Sequence, residues 1–532
     1  MKLRSSRITP IYKTGFLDLP DDLLQLIIII CDGLSKFIMH FVSKKFQFIT
    51  LDNKQNRVSG ISFVADFMQN ESIFDKKNIV CEYAATESSI NILKWARETG
   101  CFWNKSTCRS AALNGNLDVL KFARENGCKW DESTCSYAAL GGHLNILKWA
   151  RKNGCKWDKM TSRFAAEYGH LDVLIWTHKN CCGCDESTCS SVALNGHLNV
   201  LKWAHENGCE WDADTCANAA KNGHLEVLKY ARENGCDWDW NTCDYAAEHG
   251  HLEVLKWAHE NGCEFGDYTC ENAALNGHLD VLKWACSNGC DWDSNTCSSA
   301  AYGGHLDVLK WARENGCDWD ELTCANAADN GHLDVLKWAR ENGCDWDKRT
   351  CAVAAENGHI DVLKWAREYG CDWDQDTTSY AALNGHFEIL KWAYLNGCAM
   401  DAYVCSYAAT NNHLEILKWA RLNNCPWNSY TCAAAASEGN LEILKWAREN
   451  GCKWNWRTCA NAAEKGHLEA LKWAYENGCA WDEITCANAA QNGHLEILKF
   501  ARENGCPWNE NECIRIAKSN NHNNIVEWLN NY

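Results

Sequence analysis

From residue 81 onward the hydrophobic positions return every 27 residues. The run Leu-Lys-Trp-Ala carries its aromatic at Trp95, Phe122, Trp149, Trp176, Trp203, Tyr230, Trp257 and Trp284, and continues in step to Phe500. Sixteen copies pass without an insertion, and a worn seventeenth at 525–528 is displaced by one residue. Within the copy at 215–239 the apolar spacing predicts two short helices. Cys216, Ala219 and Ala220 fall at i, i+3 and i+4, a narrow face of small side chains that lets another helix approach closely. Asp212 or Thr215 supplies a cap, and Asn222-Gly223 ends the helix. The second helix is expected over 224–233. Its Leu225, Val227, Leu228, Tyr230 and Ala231 sweep roughly 220° of the circumference.

A helix apolar over that arc needs its own mate and both neighbouring units to cover it. Single units are then unstable, and stacking builds the core, so the expected fold is an all-α helical-repeat solenoid. Glycine twice per unit interrupts any heptad, which excludes a coiled coil, and strand-type alternation is absent.

Composition sharpens this picture. The 532 residues include 35 Cys and 29 Trp but only 4 Pro, with a net charge of −18. The start of the chain has no apolar leader, and the one apolar run, 23–31, is too short to span a bilayer. An intracellular, reducing compartment with free thiols is the expectation, cytoplasm before nucleus. Residues 1–79 carry a net +3 and the remainder −21, so the repeats repel phosphate and nucleic acid is not expected as a partner. No membrane partner is expected either.

The conspicuous columns read as scaffold. The two cysteines of a unit stand seven apart (Cys209, Cys216), which is not the spacing of a zinc site, and Thr378 replaces one of them. Buried soft apolar side chains explain the column better. One turn departs: His178, Cys181, Cys182 and Cys184 crowd four potential metal ligands together, although drift in one unit is the simpler reading. The repeated histidine has no unique nucleophile or carboxylate beside it, so no enzyme and no cofactor is expected. The Trp columns are expected in packing between units. Specificity belongs where units differ. Two first-helix columns vary, one including Tyr137, Phe164, Asn218, Tyr245, Asn272, Asn326, Tyr380 and Tyr407, the other including Leu140, Glu167 and Tyr302. Both project away from Cys216, Ala219 and Ala220, so they are expected to be exposed and to grip a protein target.

The run A-A-x-N-G-H-L-[DE]-V-L-K-W-A-R-E-N-G-C resembles the ankyrin repeat over 81–532. The unit is shorter than that family's 33 residues, mostly where the family builds a hairpin finger, which implies a short turn instead. The resemblance implies that the histidine bonds backbone between neighbouring units. Arrays this rich in Trp and Cys are similar to ankyrin-like proteins encoded by giant DNA viruses of amoebae. Residues 17–50 resemble an F-box through Leu19-Pro20-Asp21-Asp22-Leu23-Leu24, Ile27 and the run from Val42 to Phe46, with a clipped middle helix. That resemblance implies that Leu19, Pro20, Leu23, Leu24, Ile27, Val42 and Phe46 dock on the Skp-type adaptor of a cullin ubiquitin ligase. The chain is thus divided into a basic tail (1–16), the F-box-like segment (17–50), a linker or degenerate capping repeat (51–80) and the array (81–532). It is read as a target-recognition subunit, or else as a plain binding scaffold.

Overall fold

The computed structural model describes residues 77–98, 100–180 and 187–531, all within or beside the repeats. The tail, the F-box-like segment with all seven of its adaptor-binding candidates, most of 51–80, and Cys181, Cys182 and Cys184 lie outside the described residues. Among the described residues there are helices and turns but no strand.

Each repeat is a helix pair. In the copy outlined above, helices run over Ala213–Lys221 and Leu225–Glu233, and the six residues before the first of them form only a turn and a short extended run. The Asp three residues before the Thr is the cap. Asp320 and Asp347, for example, sit in extended backbone and accept from the amides of Leu322 and Arg349 at 3.0 and 2.9 Å. The Thr is buried instead, at 0% exposure for Thr323 and Thr350. Both helices end on a left-handed residue. Gly223 has φ +73 and Gly235 has φ +87, a conformation that costs glycine little.

The chain divides into two compact units. One holds the described residues up to Ala246 with Glu253–Glu264; the other holds Ala247–Leu252 with everything from Phe265. In the first, the helices Lys105–Leu113, Glu132–Leu140 and Lys159–Glu167 pack side by side, and each rests on its own second helix. In the second, Ser294–Tyr302 and Glu321–Asp329 repeat the arrangement. The core of this second unit is a file of small and medium side chains. Leu309, Ala312, Cys324, Ala327, Ala328 and Leu336 are all fully buried, drawn from consecutive repeats. No helix among the described residues is long and apolar enough to cross a membrane.

Histidine locks one repeat to the next. It stands at the N-cap of the second helix but does not cap it. Its Nε2 reaches back instead to a carbonyl 30 residues earlier, His332 to Tyr302 at 3.1 Å and His359 to Asp329 at 3.0 Å. To do so the imidazole lies flat against the preceding repeat's turn glycine. A Cβ built on Gly331 would stand 2.6 Å from the His359 ring, and one on Gly304 would stand 2.5 Å from His332. The column lacks glycine at Ser88 (φ 58) and Asn412 (φ 61), and there the facing residue is not histidine but Asn116 and Asn440. Asn116 donates to the carbonyls of Ala85 and Thr86 at 2.7 and 2.9 Å, and Asn440 donates to Ala409 and Thr410, both at 2.9 Å. The shorter amide makes the same bridge without needing the bare glycine.

Candidate functional site: the first-helix face

The chemistry-bearing columns separate into a buried thiol file, an aromatic ladder on the second helices, and a variable face on the first helices. The thiols pair across the helix pair rather than along the chain. Cys351 of a first helix meets Cys371, twenty residues on, and that hydrogen bond together with burial pushes the Cys351 thiol up from its ordinary value. The turn cysteine also donates to backbone, as Cys371 does to the Asp347 carbonyl at 3.3 Å. Where Thr378 replaces the first cysteine, its hydroxyl donates to Ala399 at 2.9 Å, and burial, helped by the Asp374 charge, pushes Cys398 up to about 12. Cys351 and Cys398 are thus packing groups held neutral, not nucleophiles. Among the described residues no group of three or more His, Cys, Asp or Glu is arranged to hold a metal ion. His178 is half-buried, edge-on to Trp203 at 5.3 Å.

The turn tryptophan packs edge-to-face on the second-helix aromatic of the next repeat, as Trp346 does on Trp365 at 5.8 Å and 67°. The two columns are half-buried wherever their exposure is described. Sequence reasoning missed what covers the turn indole. The arginine of A-R-E-N-G lays its guanidinium over it, 4.3 Å from the ring centre for Arg340 on Trp346, and donates to the turn cysteine's carbonyl. His205 and Tyr475 take that place with stacked rings 3.7 and 4.0 Å from Trp211 and Trp481. This ladder is structural throughout.

The variable columns behave differently from expectation. Of the candidates Tyr137, Phe164, Asn218, Tyr245, Asn272, Tyr302, Asn326, Tyr380 and Tyr407, only Tyr302 is exposed, at 41%. The other eight are half-buried because adjacent first helices pack flank to flank. Asn326 donates to the Ser298 carbonyl of the preceding repeat at 3.2 Å, Asn218 donates to Ser190 at 3.4 Å, and Tyr137 meets Phe164 edge-on at 6.3 Å. A helical wheel drawn for a single helix does not contain those neighbours.

On the first-helix side, freely exposed apolar side chains stand one turn earlier, at the N-cap or in the first two positions of the first helix. They include Trp240, Tyr268, Tyr403 and Tyr430, each more than half exposed. The signal was present in the sequence, since the residue before the Thr (Val404 in one repeat) changes from Met160 to Tyr268, Leu322, Arg349, Tyr403, Tyr430 and Ile484 while the unit stays fixed. In the second unit these residues join the half-buried column in one patch. Tyr403 leans on Tyr407 at 5.5 Å. Arg457 donates to the Tyr430 hydroxyl at 2.6 Å and lies 5.3 Å from the rings of both Tyr430 and Trp456.

Residues 243–285 match the family model for ankyrin repeats (many copies). The fold is an all-α, ankyrin-like array of helical repeats. The crystal structure of the human ASB11 ankyrin repeat domain is similar at 18% identity over 30% of this chain and 84% of that one, with a TM-score of 0.26. The pentatricopeptide repeat protein PPR10 from maize is similar at 13% identity over 96% and 99% of the two chains, with a TM-score of 0.28. No curated protein matches in sequence. The ankyrin-like reading of this chain rests on the G-H-L-[DE]-V-L-K run, the helix pairs and the histidine bridge.

Proposed function

We propose that this protein is a non-enzymatic binding scaffold that holds a protein target on the first-helix face of its ankyrin-like repeats. The observation that carries the reading is the exposed pair Tyr403 and Tyr430, joined by the half-buried Tyr407 and Trp456 and tied by Arg457. Rigid aromatic rings and a guanidinium supply large contact area at little entropic cost, and they vary here on a scaffold that does not. The opposite ridge repeats an exposed charged pair, such as Lys418–Glu415 at 2.9 Å, which offers little discrimination, and its exposed Leu395 and Leu422 are aliphatic, without the aromatic and guanidinium cluster of the first-helix face. A photo-crosslinking residue placed at Tyr403 is expected to capture protein from the native host cell, and one placed at the exposed Glu442 is not. Equal capture at both positions contradicts the assignment of the face.

The finer reading is that residues 17–50 recruit a Skp-type adaptor, so that the array presents its target for ubiquitin transfer in a reducing, cytoplasmic setting. The run of residues from Leu19 to Ile27 with Val42 and Phe46 supports it. Wild-type chain is expected to retain the adaptor in a pull-down, and a Pro20→Ala/Phe46→Ala double variant to lose it. Failure of the wild type removes the ligase role and leaves the plain scaffold.

A further inference from the structure

Cys286 breaks the logic of its column. At that position the other repeats carry Arg, His or Tyr, planar groups of which many lie over the turn aromatic; a thiol offers no plane. The consequence is visible two turns on. Trp292 meets Trp311 at 39°, whereas Trp319–Trp338 and Trp346–Trp365 stand at 68° and 67°. Losing the guanidinium also opens the site. Cys286 is half-buried, while every other described cysteine is buried. Its sulfur lies 3.7 Å from that of Cys270, which is simultaneously paired with Cys290 in the ordinary thiol file. An accessible thiol touching a second, sheltered one is the arrangement in which oxidation ends in a disulfide rather than in a sulfinic acid.

We propose that Cys286 is an oxidation site for a hydroperoxide, and that Cys270 resolves the product into a Cys270–Cys286 disulfide joining the two helices of one repeat. The Cys286 sulfur takes one oxygen as the peroxide O–O bond breaks, giving a sulfenic acid and releasing water from hydrogen peroxide. The Cys270 sulfur then attacks the Cys286 sulfur. Its proton leaves with the displaced hydroxyl as a second water, and the S–S bond forms. Two electrons have passed from two thiols to one peroxide. The column pairs elsewhere, such as Cys351 and Cys371, also bring thiols into hydrogen-bonding contact, but both members are buried, so they stay reduced.

The test uses the full chain, fully reduced and then exposed to hydrogen peroxide. Remaining thiols are alkylated in denaturant, and the digest is read by mass spectrometry without reductant. A peptide pair linked through Cys270 and Cys286 is expected, with Cys290 and the other described thiols alkylated. A free Cys286, a Cys286 sulfinic acid without the link, or a Cys286–Cys290 bond overturns the proposal. Cys286→Arg, which restores the residue most repeats carry, is expected to abolish the link and to return Trp292 to the edge-to-face packing that Trp319 and Trp346 show at 68° and 67°. If Cys270 is still crosslinked in that variant, buried pairs are themselves oxidisable and Cys286 is not the point of entry.

Discussion

Gly331→Asn is expected to destabilise the array by about 2–4 kcal/mol, and adding His359→Asn is expected to recover most of that loss. Asparagine tolerates the left-handed backbone of Gly331 (φ +76), so strain at that residue is a small part of the effect. The large part is steric. The new Cβ would stand 2.6 Å from the His359 ring, which must leave its place and give up its bond to the Asp329 carbonyl. Shortening the facing residue to Asn removes the collision and restores a donor for the carbonyls of Ala328 and Asp329, as Asn440 does for Ala409 and Thr410 opposite Asn412. Denaturant unfolding of the wild type, the two single variants and the double closes the cycle. The coupling between the two sites is expected to exceed about 1 kcal/mol and to favour the double variant. Additive losses would mean that the two residues do not meet.

Raising the pH above 9 is expected to unfold the protein far more steeply than its size alone would suggest. Thirty described cysteines are buried; turn cysteines such as Cys344 and Cys452 are lowered by the hydrogen bond from the first-helix thiol, so the effect is carried by the thiols that are raised. Burial pushes Cys81, Cys398 and Cys513 up to about 12 from an ordinary value of 9.0, and the hydrogen bond with Cys371 together with burial pushes Cys351 up as well. A group whose pKa is higher in the folded state stabilises that state fully below its unfolded value. That contribution disappears as the pH climbs from there toward the folded value, because the unfolded chain releases the proton and the folded chain does not. Each such thiol removes about 1.4 kcal/mol per pH unit within that window. Thermal midpoints are expected to be flat between pH 7 and about pH 8.5 and to fall sharply above 9. Replacing Cys324, Cys351 and Cys432 by Ala is expected to shallow the alkaline slope. A midpoint unchanged at pH 10.5 would contradict the burial of the thiols.

The backbone plan was legible because one period governs it. The 27-residue spacing, the helix pair and its ends, the buried cysteines and the half-buried tryptophans follow from apolar spacing and turn residues, and the helices Ala213–Lys221 and Leu225–Glu233 stand where those signals put them. What escaped depends on neighbours that no single repeat contains. Asn218 and Asn326 look exposed on an isolated helix and are half-buried in the array, where each reaches the preceding repeat's carbonyl. Cys351 and Cys371 are twenty residues apart in sequence and partners in space. Asn116 and Asn440 stand where other repeats carry histidine. They are compensations for Ser88 and Asn412, and only the close approach of ring to glycine shows why.

The most direct measurement of the whole account is helicity against repeat number. A peptide spanning residues 323–349 is compared by circular dichroism with chains of two, three, five and eight consecutive repeats drawn from 269–531. If a repeat holds its fold only through its neighbours, the single copy is unfolded, and stability rises with each repeat added until the gain levels off. A single copy as helical and as resistant to urea as the eight-repeat chain would contradict it.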